Sequence, residues 1–146
     1  SAENLANGNY FSGLSCLDPS CKLYLLEDEL TQITIDHSLV QEMIRIGELT
    51  KENARNHPDK NIITRAVGAG KDINVDFFEF HITKESVLLM CSDGLSNMVD
   101  DGQIAALLKS SRMPEKAGKK LIEAANRNGG KDNIAVIVIN SDSGEV

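Results

Sequence analysis

Val87-Leu88-Leu89-Met90-Cys91 is an unbroken apolar run ending directly on Ser92-Asp93-Gly94, and no other stretch constrains the fold of this chain as strongly. A run so short and so uniformly apolar fits a strand covered on both faces near the middle of a sheet. Ile134-Ala135-Val136-Ile137-Val138-Ile139 reads as a second strand, entered from Gly129-Gly130-Lys131-Asp132-Asn133. Each strand carries an aspartate at one end with glycine close by, Asp93 at an exit and Asp132 at an entrance. Rigid strand ends fix carboxylate oxygens, and glycine lets backbone or water approach, which suits a hard divalent cation. The same residues also serve ordinary turns, where Asp and Gly abound.

Around these strands the pattern alternates between sheet and helix. Cys21-Lys22-Leu23-Tyr24-Leu25-Leu26 and Leu30-Thr31-Gln32-Ile33-Thr34-Ile35 flank Glu27-Asp28-Glu29 and read as a β-hairpin. Asp36 or Ser38 can cap a helix carrying Leu39, Val40, Met43 and Ile44, which Gly47 ends. A short helix capped by Thr50 runs to about Asn56, before His57-Pro58 stops it. Between residues 73 and 82 the apolar alternation slips by one position, which predicts a bulge or a strand buried on both faces. Asp100 and Asp101 open a further helix, and a longer one spans residues 114–127, with Pro114 in its first turn and Gly129 as its stop. Residues 1–17 read as an irregular lead or a single strand around Tyr10 to Leu14.

Composition narrows the class. A chain of 146 residues with 41% hydrophobic content can bury a core. Its formal charge of −7 argues against nucleic acid as a partner, since phosphate backbones demand clustered Lys and Arg. No apolar run approaches the roughly 20 residues a bilayer span requires, so no membrane partner and a cytoplasmic location are expected. Cys16, Cys21 and Cys91 are odd in number and lack metal-ligand spacing, so reduced thiols are expected, with Cys91 in the core.

Leu88-Leu89-Met90-Cys91-Ser92-Asp93-Gly94-Leu95-Ser96-Asn97-Met98 resembles the Ser-Asp-Gly-Leu signature of the protein phosphatase 2C family. Gly129-Gly130-Lys131-Asp132-Asn133-Ile134 is similar to that family's closing Asp-Asn motif, with Ala135 where Thr or Ser is more usual. Asp36-His37-Ser38, Gly47-Glu48-Leu49-Thr50, His57-Pro58 and Asn61-Ile62-Ile63-Thr64-Arg65-Ala66-Val67-Gly68 match the intervening family words in order. The resemblance implies an α+β fold, a portion of the four-layer αββα sandwich with its N-terminal half absent. Residues 1–20 would be an irregular lead or replacement segment, and residues 21–146 the C-terminal part of the domain. A flap-like insert at about residues 38–60 would be rooted at Asp36, His37 and Ser38.

By the same resemblance, Asp93 and Asp132 would ligate one Mg²⁺ or Mn²⁺ of a two-metal centre, with Gly94 and Asn133 in backbone or supporting roles. The reaction implied is hydrolysis of phosphoserine or phosphothreonine in a phosphoprotein by a metal-activated water. No catalytic residue beyond these ligands is implied. The family's N-terminal arginine, its metal-bridging Asp-Gly pair and its proton-donating histidine have no counterparts here. Pro19-Ser20-Cys21-Lys22 stands where Gly-Asp-Ser-Arg is usual, so an acidic ligand position falls on Ser20, with Asp18 two residues away. His37, His57, His81 and Arg65 read as structural or surface residues. A weak or incomplete metal site is therefore expected, with a completing polypeptide as the remedy; a homodimer is a further expected partner state. The alternative is a non-catalytic phosphatase-like module that binds a protein or self-associates.

Overall fold

A computed structural model of the chain describes residues 11–14, 21–54, 57–60, 62–64, 76–111 and 113–141. Asp18, Pro19, Ser20, Arg65 and residues 73–75, all singled out above, lie outside the described residues. The strands are β1 (Phe11–Leu14), β2 (Lys22–Leu26), β3 (Leu30–Gln32), β4 (Phe77–Phe80), β5 (Val87–Cys91) and β6 (Val136–Asn140). The helices are α1 (Leu39–Arg45), α2 (Lys51–Ala54), α3 (Asp93–Ser96), α4 (Asp101–Lys109) and α5 (Pro114–Arg127). Four strands form an antiparallel sheet in the order β3-β2-β5-β6, and β1 pairs antiparallel with β4 in a separate ribbon.

The continuous apolar run predicts a central strand, and β5 is one: Leu89 lies between Tyr24 of β2 and Val138 of β6. On one face of the sheet Tyr24, Leu26, Leu89 and Cys91 pack against Leu95, Ile104, Leu108, Leu121 and Ala125 from the helices. Each large side chain buried there contributes roughly 1.5–3 kcal/mol. The stripe Ala117, Leu121, Ala124 and Ala125 recurs at helical spacing along α5, which is why that helix lies flat on the sheet. On the opposite face Leu23, Leu25 and Leu88 are buried under Ile82 and Phe80, at and just past the end of β4. That cover stops short of β6, leaving Ile137 57% and Ile139 46% exposed.

Three boundaries depart from the sequence expectation. The β3 ladder ends at Gln32 because the Thr34 hydroxyl accepts the Leu23 N–H at 3.0 Å, taking the place of a strand carbonyl. The last strand begins at Val136 rather than Ile134, since Asn133 and Ala135 bond to Ser92 instead. His81 lies just past β4 rather than within a strand. In the described part of the phase-shifted segment, Phe77 and Glu79 face outward while Phe78 and Phe80 are half-buried, an ordinary alternation. No helix among the described residues is long and apolar enough to cross a membrane.

Cys91 sits in the core, and burial pushes its thiol up to about 12. The thiol therefore stays protonated at mildly alkaline pH, and the thiolate is the reactive form. Iodoacetamide followed by peptide mass mapping is expected to label half-buried Cys21 first and to reach Cys91 only once denaturant is added. Equal labelling of Cys91 in native and denatured protein would contradict the packing of β5 against the helices.

Candidate metal centre

Two loops meet at one end of the β5–β6 pair. Ser92 leaves β5 in an extended conformation, and the chain turns at once into the single helical turn of α3, which begins at Asp93. From the other side, α5 ends at Asn128, whose Nδ2 donates to the Met98 carbonyl at 2.8 Å and ties that end to α3. Gly129 and Gly130 follow with φ of +124° and +49°, backbone that side chains disfavour, and this reverses the chain toward β6. Asp132 emerges from that reversal, its Oδ1 accepting the N–H of Asn133 at 2.7 Å.

Ser92 fastens the loops together. Its N–H donates to the Ala135 carbonyl at 3.0 Å, its hydroxyl donates to the Asn133 carbonyl at 3.1 Å, and the same oxygen accepts the Ala135 N–H at 3.1 Å. Gly94 closes the contact further. A Cβ at that position would stand 2.2 Å from the Asn133 oxygen and 3.5 Å from the Asp132 carbonyl carbon, so only glycine permits this approach. Asp93 and Asp132 therefore project from backbones pressed against each other. Asp93 is half-buried and Asp132 exposed. Among the described residues, no group of three or more His, Cys, Asp or Glu is placed to hold a metal ion. Two carboxylates are too few for a two-metal cluster, so among the described residues such a centre is incomplete.

The expected flap residues are structural anchors. Asp36 is held by Lys22 at 2.8 Å and by Gln32 at 2.6 Å. The His37 ring bonds to Asp76, and its carbonyl accepts the Thr64 N–H at 2.8 Å. Ser38 caps α1, its hydroxyl accepting the Gln41 N–H at 3.3 Å, while Gly47 ends the helix with φ +81°. Thr50 caps α2 in the same way through the Asn53 N–H at 3.3 Å. His57 Nδ1 accepts the Asp59 N–H at 3.2 Å, a turn-stabilising bond. The sequence assigns Ser92 no role beyond its place in the Ser-Asp-Gly-Leu word, and nothing in its neighbours' polarity announces a bond across 41 residues.

No family model matches the chain. Among curated relatives, it is 45% identical over 120 residues to the serine/threonine phosphatase Stp of Listeria monocytogenes serotype 4b, covering 82% of this chain and 48% of that protein. Protein phosphatase PhpP of Streptococcus pneumoniae serotype 2 is 39% identical over 112 residues, covering 77% and 46%. The solved serine/threonine phosphatase PstP/Ppp of Mycobacterium tuberculosis superposes with a TM-score of 0.79 at 37% identity, over 90% of this chain and 55% of that one. A structure of the catalytic domain of PstP in complex with two manganese ions superposes at 0.73, with 36% identity over 90% and 53%. The chain is thus a relative of the serine/threonine phosphatases of the protein phosphatase 2C type, and its helix-covered antiparallel sheet is a portion of their fold. It corresponds to the C-terminal part of those proteins and spans about half the length of the curated relatives it matches.

Proposed function

We propose that the chain carries one share of a metal-dependent protein serine/threonine phosphatase centre, with Asp93 and Asp132 as its ligands for Mg²⁺ or Mn²⁺. The contact of Gly94 with the Asn133 backbone carries this reading, because it holds the two aspartate-bearing loops together at the end of a rigid strand pair. In this arrangement the Asn133 N–H occupies one Asp132 oxygen and leaves the other to face a cation. The Ser92 hydroxyl, engaged on both sides, serves as a brace and not as a nucleophile. When bound, such an ion lowers the pKa of water and neutralises charge on phosphoryl oxygens. The substrate class is a phosphoprotein bearing phosphoserine or phosphothreonine, acted on in the cytoplasm.

A completing polypeptide supplies the remaining ligands in this reading. Calorimetric titration of the chain with Mn²⁺ is expected to give a weak site, with Kd on the order of 10⁻⁴–10⁻³ M, as for oxygen-ligand sites of low charge count. Asp93→Asn and Asp132→Asn should each weaken it about tenfold or more. Heats identical in all three proteins would remove the ligand assignment. Hydrolysis of a phosphothreonine peptide is expected to be slow with the chain alone and to rise on adding the N-terminal half of a relative such as Stp.

The second reading is a non-catalytic module that binds a protein or pairs as a homodimer. The bare Ile137 and Ile139 favour it, since they continue the face on which Leu88 and Leu25 are buried. Co-sedimentation with the added half, or self-association, without any Mn²⁺-dependent hydrolysis would select this reading over the first.

A further inference from the structure

A cleft of about 920 Å³ runs between the flap and the α3–α4 end of the body, and both of its walls belong to this chain. Ile35, Ile44 and Ile63 give the flap wall an apolar surface, and Lys51 and Lys60 line it too. Ile35 and Ile63 are 60% and 51% exposed, so this surface is bare.

Charges in the cleft are unevenly satisfied. Lys22 at 2.8 Å neutralises Asp36, while Asp100 accepts the Gln103 N–H at 2.8 Å and keeps its charge, and Asp93 and Asp101 are engaged as well. Lys51 and Lys60 have no side-chain partner among the described residues, and their sequence neighbours Glu52 and Asp59 do not line the cleft. Two cations without a side-chain partner among the described residues, set beside an apolar wall, match a ligand with a carboxylate and an apolar neighbour. An extended acidic peptide has both.

We infer that this cleft binds the peptide flanking a phosphorylated serine or threonine and selects Asp or Glu where the peptide meets Lys51 and Lys60. The inference rests on the phosphatase reading in one respect: Asp93 lines the same cleft, so the phosphoryl group and its flank share one groove. In an extended peptide successive side chains point to opposite sides. An acid in one register meets the flap lysines, and an acid in the other meets Asp100 and Asp101 and is repelled. Attraction and repulsion together make the preference one of position, not of net charge.

Fluorescence polarisation tests this with labelled phosphothreonine peptides flanked by Glu or by Lys, and with unphosphorylated versions of each. The Glu-flanked peptides are expected to bind about fivefold to tenfold more tightly than the Lys-flanked ones, a range set by two partly exposed charge pairs. Lys51→Glu/Lys60→Glu should invert the order, and added salt should shrink it. Equal affinity for both flanks, or an unchanged preference in the double variant, would overturn the inference. A Glu preference that persists with no response to Mn²⁺ keeps the acidic-peptide site and counts against the phosphatase reading. Mn²⁺-dependent binding of phosphopeptides with no flank preference does the reverse.

Discussion

Gly94→Ala is expected to lower the melting temperature by roughly 5–12 °C, corresponding to about 2–3 kcal/mol for a domain of this size. The added methyl would stand 2.2 Å from the Asn133 oxygen and 3.0 Å from its carbonyl carbon. Both are backbone atoms, so no side-chain rotation relieves the overlap. Either α3 or the loop before β6 must retreat, and each retreat strains the three Ser92 bonds that join them. The same substitution at Gly118, inside α5, should act in the opposite direction. There a Cβ meets the Val136 Cγ2 at 3.7 Å and the Val138 Cγ2 at 4.0 Å, ordinary contacts, and alanine gains about 0.5–1 kcal/mol in a helix interior. Thermal unfolding of both variants checks the pair, and an unshifted Gly94→Ala would mean that the loops are not in contact. Mn²⁺ titration of folded Gly94→Ala should show further weakening, because the aspartates ride on the displaced backbones.

Leu89→Ala is expected to cost 2–5 kcal/mol, about the range for a fully enclosed leucine. Leu89 is 0% exposed and faces Tyr24 and Val138 beneath the helices. Set against a total stability of roughly 5–15 kcal/mol, that loss takes the domain close to its unfolding limit. Ile139→Ala is the matched contrast. It removes more hydrocarbon than many core changes, yet Ile139 is 46% exposed on the uncovered face and should move stability by about 0.5 kcal/mol or less. Urea unfolding separates the two, and comparable losses would show that the face over β6 is covered in solution.

Much of the fold can be read in the sequence because its strongest signals are local. Five consecutive apolar residues announce β5, the Asp100 cap and the Pro114 start announce α4 and α5, and Ser38 with Gly47 brackets α1. The misjudged boundaries share one cause. Ile134 and Ala135 are apolar and read as strand, but their backbone region is committed to Ser92, and Thr34 trades a ladder position for a side-chain bond. Asp93 and Asp132 stand out by their strand-end positions and their neighbouring glycines. The cleft does not, because Ile35, Lys51 and Lys60 come from separate parts of the chain and line one cleft only in the folded protein. No periodicity records that convergence.

Ser92 and Asn133 are 41 positions apart, and α3, α4 and α5 occupy the interval. The junction between the two loops therefore cannot form until that whole helical excursion has closed and β6 has zipped onto β5. Assembly of the junction is a late, long-range event, limited by loop closure rather than by local turn formation. Whatever binds across it will accordingly draw on the global unfolding equilibrium, and will raise the temperature at which the entire sheet melts instead of quieting one loop.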